Sequence, residues 1–432
     1  MDINDTIERV SRYEKMMEEA LDFFSSPEKR YRELGKKLRA LKAYYESDEW
    51  KQDFAADEAG LLPKDLKRGV LSEDGIDDLI TRYEELKSDL KIEEESEMDK
   101  LDAIRAGIFG VVVGDALGVP VEFTSRWERQ RDPVTDMREY GTHSQPKGTW
   151  SDDSSMMLAN MDSMIICDGI DYADIMKRFR SWNINGEYTP FGTVFDIGIT
   201  CARAISHFRP GADPLQCGLS GERDNGNGSL MRIMPVSLYC AMKEDFWEEE
   251  TLKTCAEYSH NASRLTHAHP RSQMGCMIYT AICHELIFRG EKTVKEAVSS
   301  AITNIRAFYA KGIGACGEAE FQKEIASDPY GRMWDVDTFG ALPEEEIKSS
   351  GYVVHTLEAA VWCLLNTNTF ADCTLKAVNL GDDTDTVGAV AGGLAGLAYG
   401  YSGIPKEWLD VIEKRAWIDR LCNSFVNLTA FG

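Results

Sequence analysis

The segment that most constrains this chain spans residues 381–400, GDDTDTVGAVAGGLAGLAYG. Its apolar residues and spaced glycines call for burial against another backbone, yet Asp382, Asp383 and Asp385 open it. A helix N-terminus tolerates an acid, because free N–H groups and the positive end of the dipole face it. Three acids together repel one another unless something positive sits among them. The same arrangement recurs in residues 148–165, GTWSDDSSMMLANMDSMI, where Ser151 is a good N-cap and Asp152 and Asp153 fall in the first turn. Either segment alone reads as an ordinary capped helix; two in one chain suggest a meeting of helix starts. Carboxylates and hydroxyls would then converge, a set of hard oxygens suited to Mg2+, Mn2+ or Ca2+ rather than zinc or copper. Neighbouring side chains on a helix diverge by about 100°, so Asp152 and Asp153 can reach two different ions.

The rest of the chain reads as helical. Met157, Leu158, Met161, Met164 and Ile165 share one face, as do Val353, Leu357, Ala360, Val361 and Leu364, while strand-like alternation is scarce. The fold class expected is all-α, with a small helical amino-terminal domain over residues 1–98 and a larger multi-helix domain over 99–432. In the first part, Ile7, Val10, Met17, Leu21 and Phe24 sketch one amphipathic stripe, and Tyr31, Leu34, Leu38, Leu41 and Tyr45 another. The run KIEEESEMDK at 91–100 is a solvated junction. A bundle of this kind packs on the larger domain or binds another protein.

With 43% hydrophobic residues the chain can build a sizeable core, and its net charge of −25 argues against direct contact with a phosphate backbone. No apolar run reaches the roughly 18 to 20 residues that span a bilayer; residues 387–401 come nearest. No secretory signal is visible, and eleven cysteines without a C-x-x-C look like reduced core residues. The expectation is a cytoplasmic protein without a membrane partner.

Five stretches, GVVVGDALGVPVEF, WSDDSSM, NGNGSLMRIMPV, SRLTH and NLGDDTDTVGAVAGGLAGLAYG, occur in this order over residues 101–409. In that order they resemble the ADP-ribosylglycohydrolases, and the amino-terminal region resembles a small bacterial domain family of unknown function. The resemblance implies an all-α fold, two Mg2+ or Mn2+ ions, and hydrolysis at C1″ of the distal ribose in an ADP-ribosylated protein or a small ADP-ribose conjugate. It implies Ser151, Asp152, Asp153, Asp383, Asp385 and Thr386 as metal ligands, with Asp382 outside the pattern as a helix-start acid. Glu122 is the implied general acid/base, with Asp153 beside it in the catalytic set. Asp115 is expected to orient a ligand or brace its loop. Gly226, Asn227, Gly228, Ser229, Met231 and His267 are implied contacts of the ADP-ribosyl group. For adenine, Phe191 is the candidate platform. His260, His267 and His269 lack the spacing of a zinc helix, and His269, before Pro270, reads as structural. Two other readings use the same residues: a two-metal diphosphatase that releases AMP from an ADP-ribose-like nucleotide, and a non-catalytic ADP-ribose-binding regulator.

Overall fold

A computed structural model of the chain describes residues 97–429 apart from 313, residues 48–63, and scattered positions between 7 and 82. The chain divides into two compact units, Met1–Glu95 and Ser96–Ala430. Among the described residues there is no strand; the extended pairings are three isolated bridges, Tyr140 with Gln145, Leu219 with His267 and Gly226 with Tyr352. The all-α expectation holds.

In the amino-terminal unit, helix α1 (Asp48–Glu58) buries Trp50 and Ala56 in a small core with Val10, Leu41, Tyr44 and Leu79. The Tyr44 hydroxyl donates to Asp53 at 2.7 Å, and Trp50 Nε1 donates to the Val70 carbonyl at 3.1 Å. Both bonds satisfy polar groups that burial would otherwise penalise. Of the two expected stripes, Val10 and Leu41 are fully buried and Ile7, Met17 and Tyr45 pack against them. Leu21, Phe24, Tyr31, Leu34 and Leu38 lie outside the described residues.

The larger unit is organised around helix α2 (Glu97–Gly118). Its stretch Lys100–Val121 is long and apolar enough to cross a membrane, against the expectation that no run reaches that length. Asp102, Arg105 and Asp115 interrupt the run in the sequence and hide it. Of its most apolar 18 residues, 94% are buried inside the protein, as befits a core helix. Around it stand α3 (Asp152–Ile166), α4 (Ile199–His207), α5 (Met234–Ala241), α6 (Glu249–Arg264), α7 (Pro270–Ile287), α8 (Val353–Leu365), α9 (Phe370–Asn379) and α10 (Thr384–Tyr399). The two faces read from periodicity, on α3 and α8, are buried apart from half-exposed Ile165. All ten described cysteines are free, and only Cys167 is exposed.

The antiparallel pair α2 and α10 is packed backbone to backbone. A Cβ added to Gly114 would lie 2.0 Å from the Gly388 carbonyl oxygen, and one on Gly110 2.3 Å from that of Gly392. Near the end of α2, a Cβ on Gly118 would lie 2.4 Å from both the N and Cα of Asp385. Only glycine permits such an approach. The result is that the start of α10 rests on the end of α2, fixed further by Thr384 Oγ1 donating to the Gly118 carbonyl at 2.8 Å.

Candidate active site

Helix α2 also positions α3. The Asp115 carboxylate, fully buried, accepts from the Ser151 amide at 3.0 and 3.1 Å and from the Ser154 amide and hydroxyl at 3.1 and 2.6 Å. It therefore caps the N-terminus of α3 from outside and satisfies donors that no intrahelical carbonyl reaches. Burial pushes the Asp115 pKa up to about 6 even with these bonds holding it down. Of the two roles expected of Asp115, its hydrogen bonds are those of a brace, and it does not line the cleft described below.

The two acidic helix starts meet. Thr386 Oγ1 on α10 lies 3.4 Å from Asp153 Oδ2 on α3, and Ser151 Oγ lies 3.3 Å from the same oxygen. Asp153 Oδ1, also buried, has no hydrogen-bond partner. Carboxylate oxygens of Glu122, Asp383 and Asp385 lie within 4.8 Å of one another. At that separation two unit charges repel by about 3 kcal/mol at an effective dielectric of about 20. Burial, followed by the charges of neighbouring carboxylates, raises Asp152, Asp153 and Asp385 well above the usual range. Asp383 is raised by burial against an opposing hydrogen bond from Asn227. Glu122 is raised to about 7, chiefly by burial and then by Asp196 and Asp383, although a short hydrogen bond from His143 lowers it. That bond in turn raises His143. An orphaned carboxylate oxygen inside a crowd of like charges fits a hard divalent cation.

These groups open onto a cleft of about 750 Å³ whose other walls carry Asp196, Ile199, Arg223, the glycine-rich loop and His267. The loop is clamped to the start of α8: the Asn227 amide donates to the Gly351 carbonyl at 3.0 Å, and the Val353 amide donates to that of Asn225 at 3.0 Å. Asn227 Nδ2 donates to Asp383 Oδ2 at 2.7 Å and Thr356 Oγ1 at 2.9 Å, so this side chain braces the acid cluster. Gly226, Gly228 and Met231 line the cleft; Ser229 does not, its buried hydroxyl accepting from Ser263 at 2.9 Å. His269 caps α7 by accepting from the Arg271 amide at 3.2 Å, and His260 pairs with the Tyr309 hydroxyl at 3.0 Å, so the three histidines serve separate purposes.

Phe191 is half exposed and lies outside the cleft lining. The aromatic residue at the mouth is Phe123, 69% exposed, with its backbone at φ 63°. Its amide donates to the Asp382 carbonyl at 2.7 Å, and the Asp382 amide, at φ 60°, donates to the Thr124 carbonyl at 2.7 Å. This pair of hydrogen bonds ties the Glu122 loop to the acidic start of α10, and Asp382 itself is an exposed member of the cleft wall. Sequence reasoning missed Asp196, Arg223 and His143. The first two stand within a few residues of TPFG and NGNG; Asp196 is a lone charge beside its glycine turn, whereas Arg223 is masked by its neighbours Glu222 and Asp224. His143 carried none, because its contact with Glu122 spans 21 residues that follow no single period and include the short helix Arg126–Arg131.

A family model described as ADP-ribosylglycohydrolase matches residues 96–431, and one described as a domain of unknown function matches residues 6–92. The chain is 32% identical over 323 residues to an ADP-ribosylarginine hydrolase, Tri1, of Pseudomonas putida (strain GB-1), covering 73% of this chain and 75% of that protein. It is 28% identical to an ADP-ribosyl-[dinitrogen reductase] glycohydrolase of Rhodospirillum rubrum, covering 73% and 91%. A solved structure titled ADP-ribosylglycohydrolase-related protein complex superposes with a TM-score of 0.58 at 26% identity, covering 77% of this chain and 99% of that one.

Proposed function

We propose, from the premise that this chain belongs to the ADP-ribosylglycohydrolase family and hydrolytically removes ADP-ribose from its substrates, that it acts with divalent cations on ADP-ribosylated arginine. The observation that carries the reading is the convergence of two acidic helix starts around the unpartnered Asp153 Oδ1. Ser151, Asp152, Asp153, Asp383, Asp385 and Thr386 would hold a pair of Mg2+ or Mn2+ ions. Such ions supply charge neutralisation and acidify a bound water.

The remaining work falls to side chains. Glu122 stands at the edge of the acidic cluster, where a carboxylate can exchange protons with a water beside the sugar; its pKa is raised to about 7 in the cation-free protein. In the reaction, the water oxygen bonds to C1″ as the C1″–N bond breaks. Glu122 accepts the water proton and delivers it to the departing guanidine nitrogen. Positive charge developing on the ribose is stabilised by the surrounding carboxylates, as in other glycoside hydrolyses. His143 holds the Glu122 carboxylate from the side. Arg223 is the one Lys or Arg among the described residues lining the cleft, so it supplies the positive charge that a diphosphate needs.

The arginine acceptor is supported by the names of the Pseudomonas putida and Serratia proteamaculans relatives. It is supported too by Asp196 and Asp382 in the cleft wall, which favour a cationic leaving group. The test is a panel of ADP-ribosyl-arginine, ADP-ribosyl-serine and ADP-ribose esters with Mg2+, Mn2+ or chelator, read as free ADP-ribose. Release from the arginine conjugate, lost with chelator, is expected. Release of AMP would mark a diphosphatase, and release from serine but not arginine would overturn the acceptor.

A further inference from the structure

His267 faces the cleft through one ring nitrogen and the protein through the other. Its Nδ1 lies 2.9 Å from Thr266 Oγ1, while Nε2 sits against the glycine-rich loop, 3.4 Å from where a Cβ on Gly226 would stand. Nε2 has no hydrogen bond to the protein among the described residues. Which nitrogen carries the proton decides whether the cleft wall offers a donor or an acceptor there.

The buried groups behind the ring settle this. Arg232 is fully buried, its guanidinium lying 4.7 Å from the centre of the Phe179 ring. Its Nη2 bonds the Ala262 carbonyl at 3.0 Å and Thr266 Oγ1 at 2.8 Å, while Nε and Nη1 have no partner. A guanidinium has donors only, so Thr266 Oγ1 accepts from it. The hydroxyl proton then has two neighbours, His267 Nδ1 and the Cys201 thiol. Sulfur is a weak acceptor and an imidazole nitrogen a good one, so the proton goes to Nδ1. The hydrogen of the neutral ring must therefore be on Nε2. Burial and the charge of Arg232 hold the ring neutral, lowering its pKa to about 3.

We infer that Arg232 and Thr266 are positioning residues that lock His267 as its Nε2–H tautomer, giving the cleft a fixed, uncharged donor for an oxygen of the bound ADP-ribosyl group. A neutral donor suits this place, since a cation beside the acidic cluster would compete with the divalent ions. A tautomer held from behind needs no reorganisation when the ligand arrives. The ligand named here rests on the functional reading above; the tautomer does not.

The test combines a spectroscopic and a binding readout on the full chain. In protein labelled with 15N at the histidine rings, with His267 assigned by its loss in His267→Gln, wild type is expected to show a protonated Nε2 and an unprotonated Nδ1 across neutral pH. Thr266→Val, which keeps the shape and removes the hydroxyl, is expected to lose that single tautomer. It should also weaken ADP-ribose affinity and raise KM about tenfold, the loss of roughly one hydrogen bond. Thr266→Ser should restore both. A protonated Nδ1 in wild type would overturn the inference whatever the valine variant does, as would a valine variant with unchanged spectrum and KM. If wild type has the expected tautomer but frees ADP-ribose from no conjugate, the functional reading fails and the tautomer stands.

Discussion

Replacing Glu122 with Gln removes a carboxylate whose ionised form the fold disfavours, so without divalent cations the variant should be more stable than wild type above neutral pH. The Glu122 pKa is about 7 in the folded protein against an ordinary 4.5. A group raised in this way favours folding while protonated. Its destabilisation is absent below pH 4.5, grows between 4.5 and about 7, and is complete above about 7. At 1.36 kcal/mol per pH unit the full effect is about 3 kcal/mol, and at pH 5.5 it is about 1 kcal/mol. Urea unfolding of both proteins in chelator, at pH 5.5 and pH 8, should therefore show the glutamine variant gaining about 2 kcal/mol relative to wild type between the two conditions. Gln keeps an oxygen for His143, so the gain reports the charge and not a lost contact. With Mg2+ present, the same variant should bind ADP-ribose and turn over little. A stability difference that is equal at the two pH values, or a glutamine variant less stable at pH 8, would refute the burial argument.

Three further outcomes follow from the site. Mg2+ or Mn2+ should raise the melting temperature of wild type by linkage; Asp153→Asn should lose most of that increment together with turnover, and an undiminished increment would remove Asp153 from the ligand set. Gly118→Ala should cost about 1–3 kcal/mol by urea unfolding and lower kcat, because its Cβ would lie 2.4 Å from the N and Cα of Asp385; a variant with wild-type stability and kcat would mean the two helices are free to part. Arg223→Gln, at an exposed position, should raise KM about tenfold with kcat nearly unchanged and with a weaker dependence on ionic strength; an unchanged KM would place the diphosphate elsewhere.

Features written in short, contiguous patterns were legible in the sequence. The faces of α3 and α8 follow a period that survives any neighbour, and the two acidic helix starts advertise themselves because like charges so close need an explanation. The motif order located the glycine-rich loop and His267, but motif membership did not say which atoms face the cleft. Asn227 gives its amide to Asp383, and Ser229 turns its hydroxyl into the core. Neither fact is encoded locally, since each depends on a partner more than 30 residues away. His143 was invisible for the same reason. The core helix α2 was overlooked because Asp102, Arg105 and Asp115 break its apolar run, yet Asp115 is matched by four contacts that only the folded chain supplies.

That helix also explains how a cluster of carboxylates can be assembled at all. The groups that place the acids are not the acids. Glycine contacts seat α10 on α2, Thr384 pins its first turn to Gly118, and Asp115 captures the amides that begin α3. Each of these contacts is indifferent to whether a cation is present. Their combined preference for one geometry holds Asp152, Asp153, Asp383 and Asp385 together against their repulsion, and burial with that repulsion raises the pKa of each carboxylate. On the proposed reading, a divalent ion arriving there would displace protons and would not have to gather its ligands. Cation affinity should therefore rise with pH over the range in which those protons leave. It should also fall when Gly118 is enlarged, although that residue carries no ligand atom.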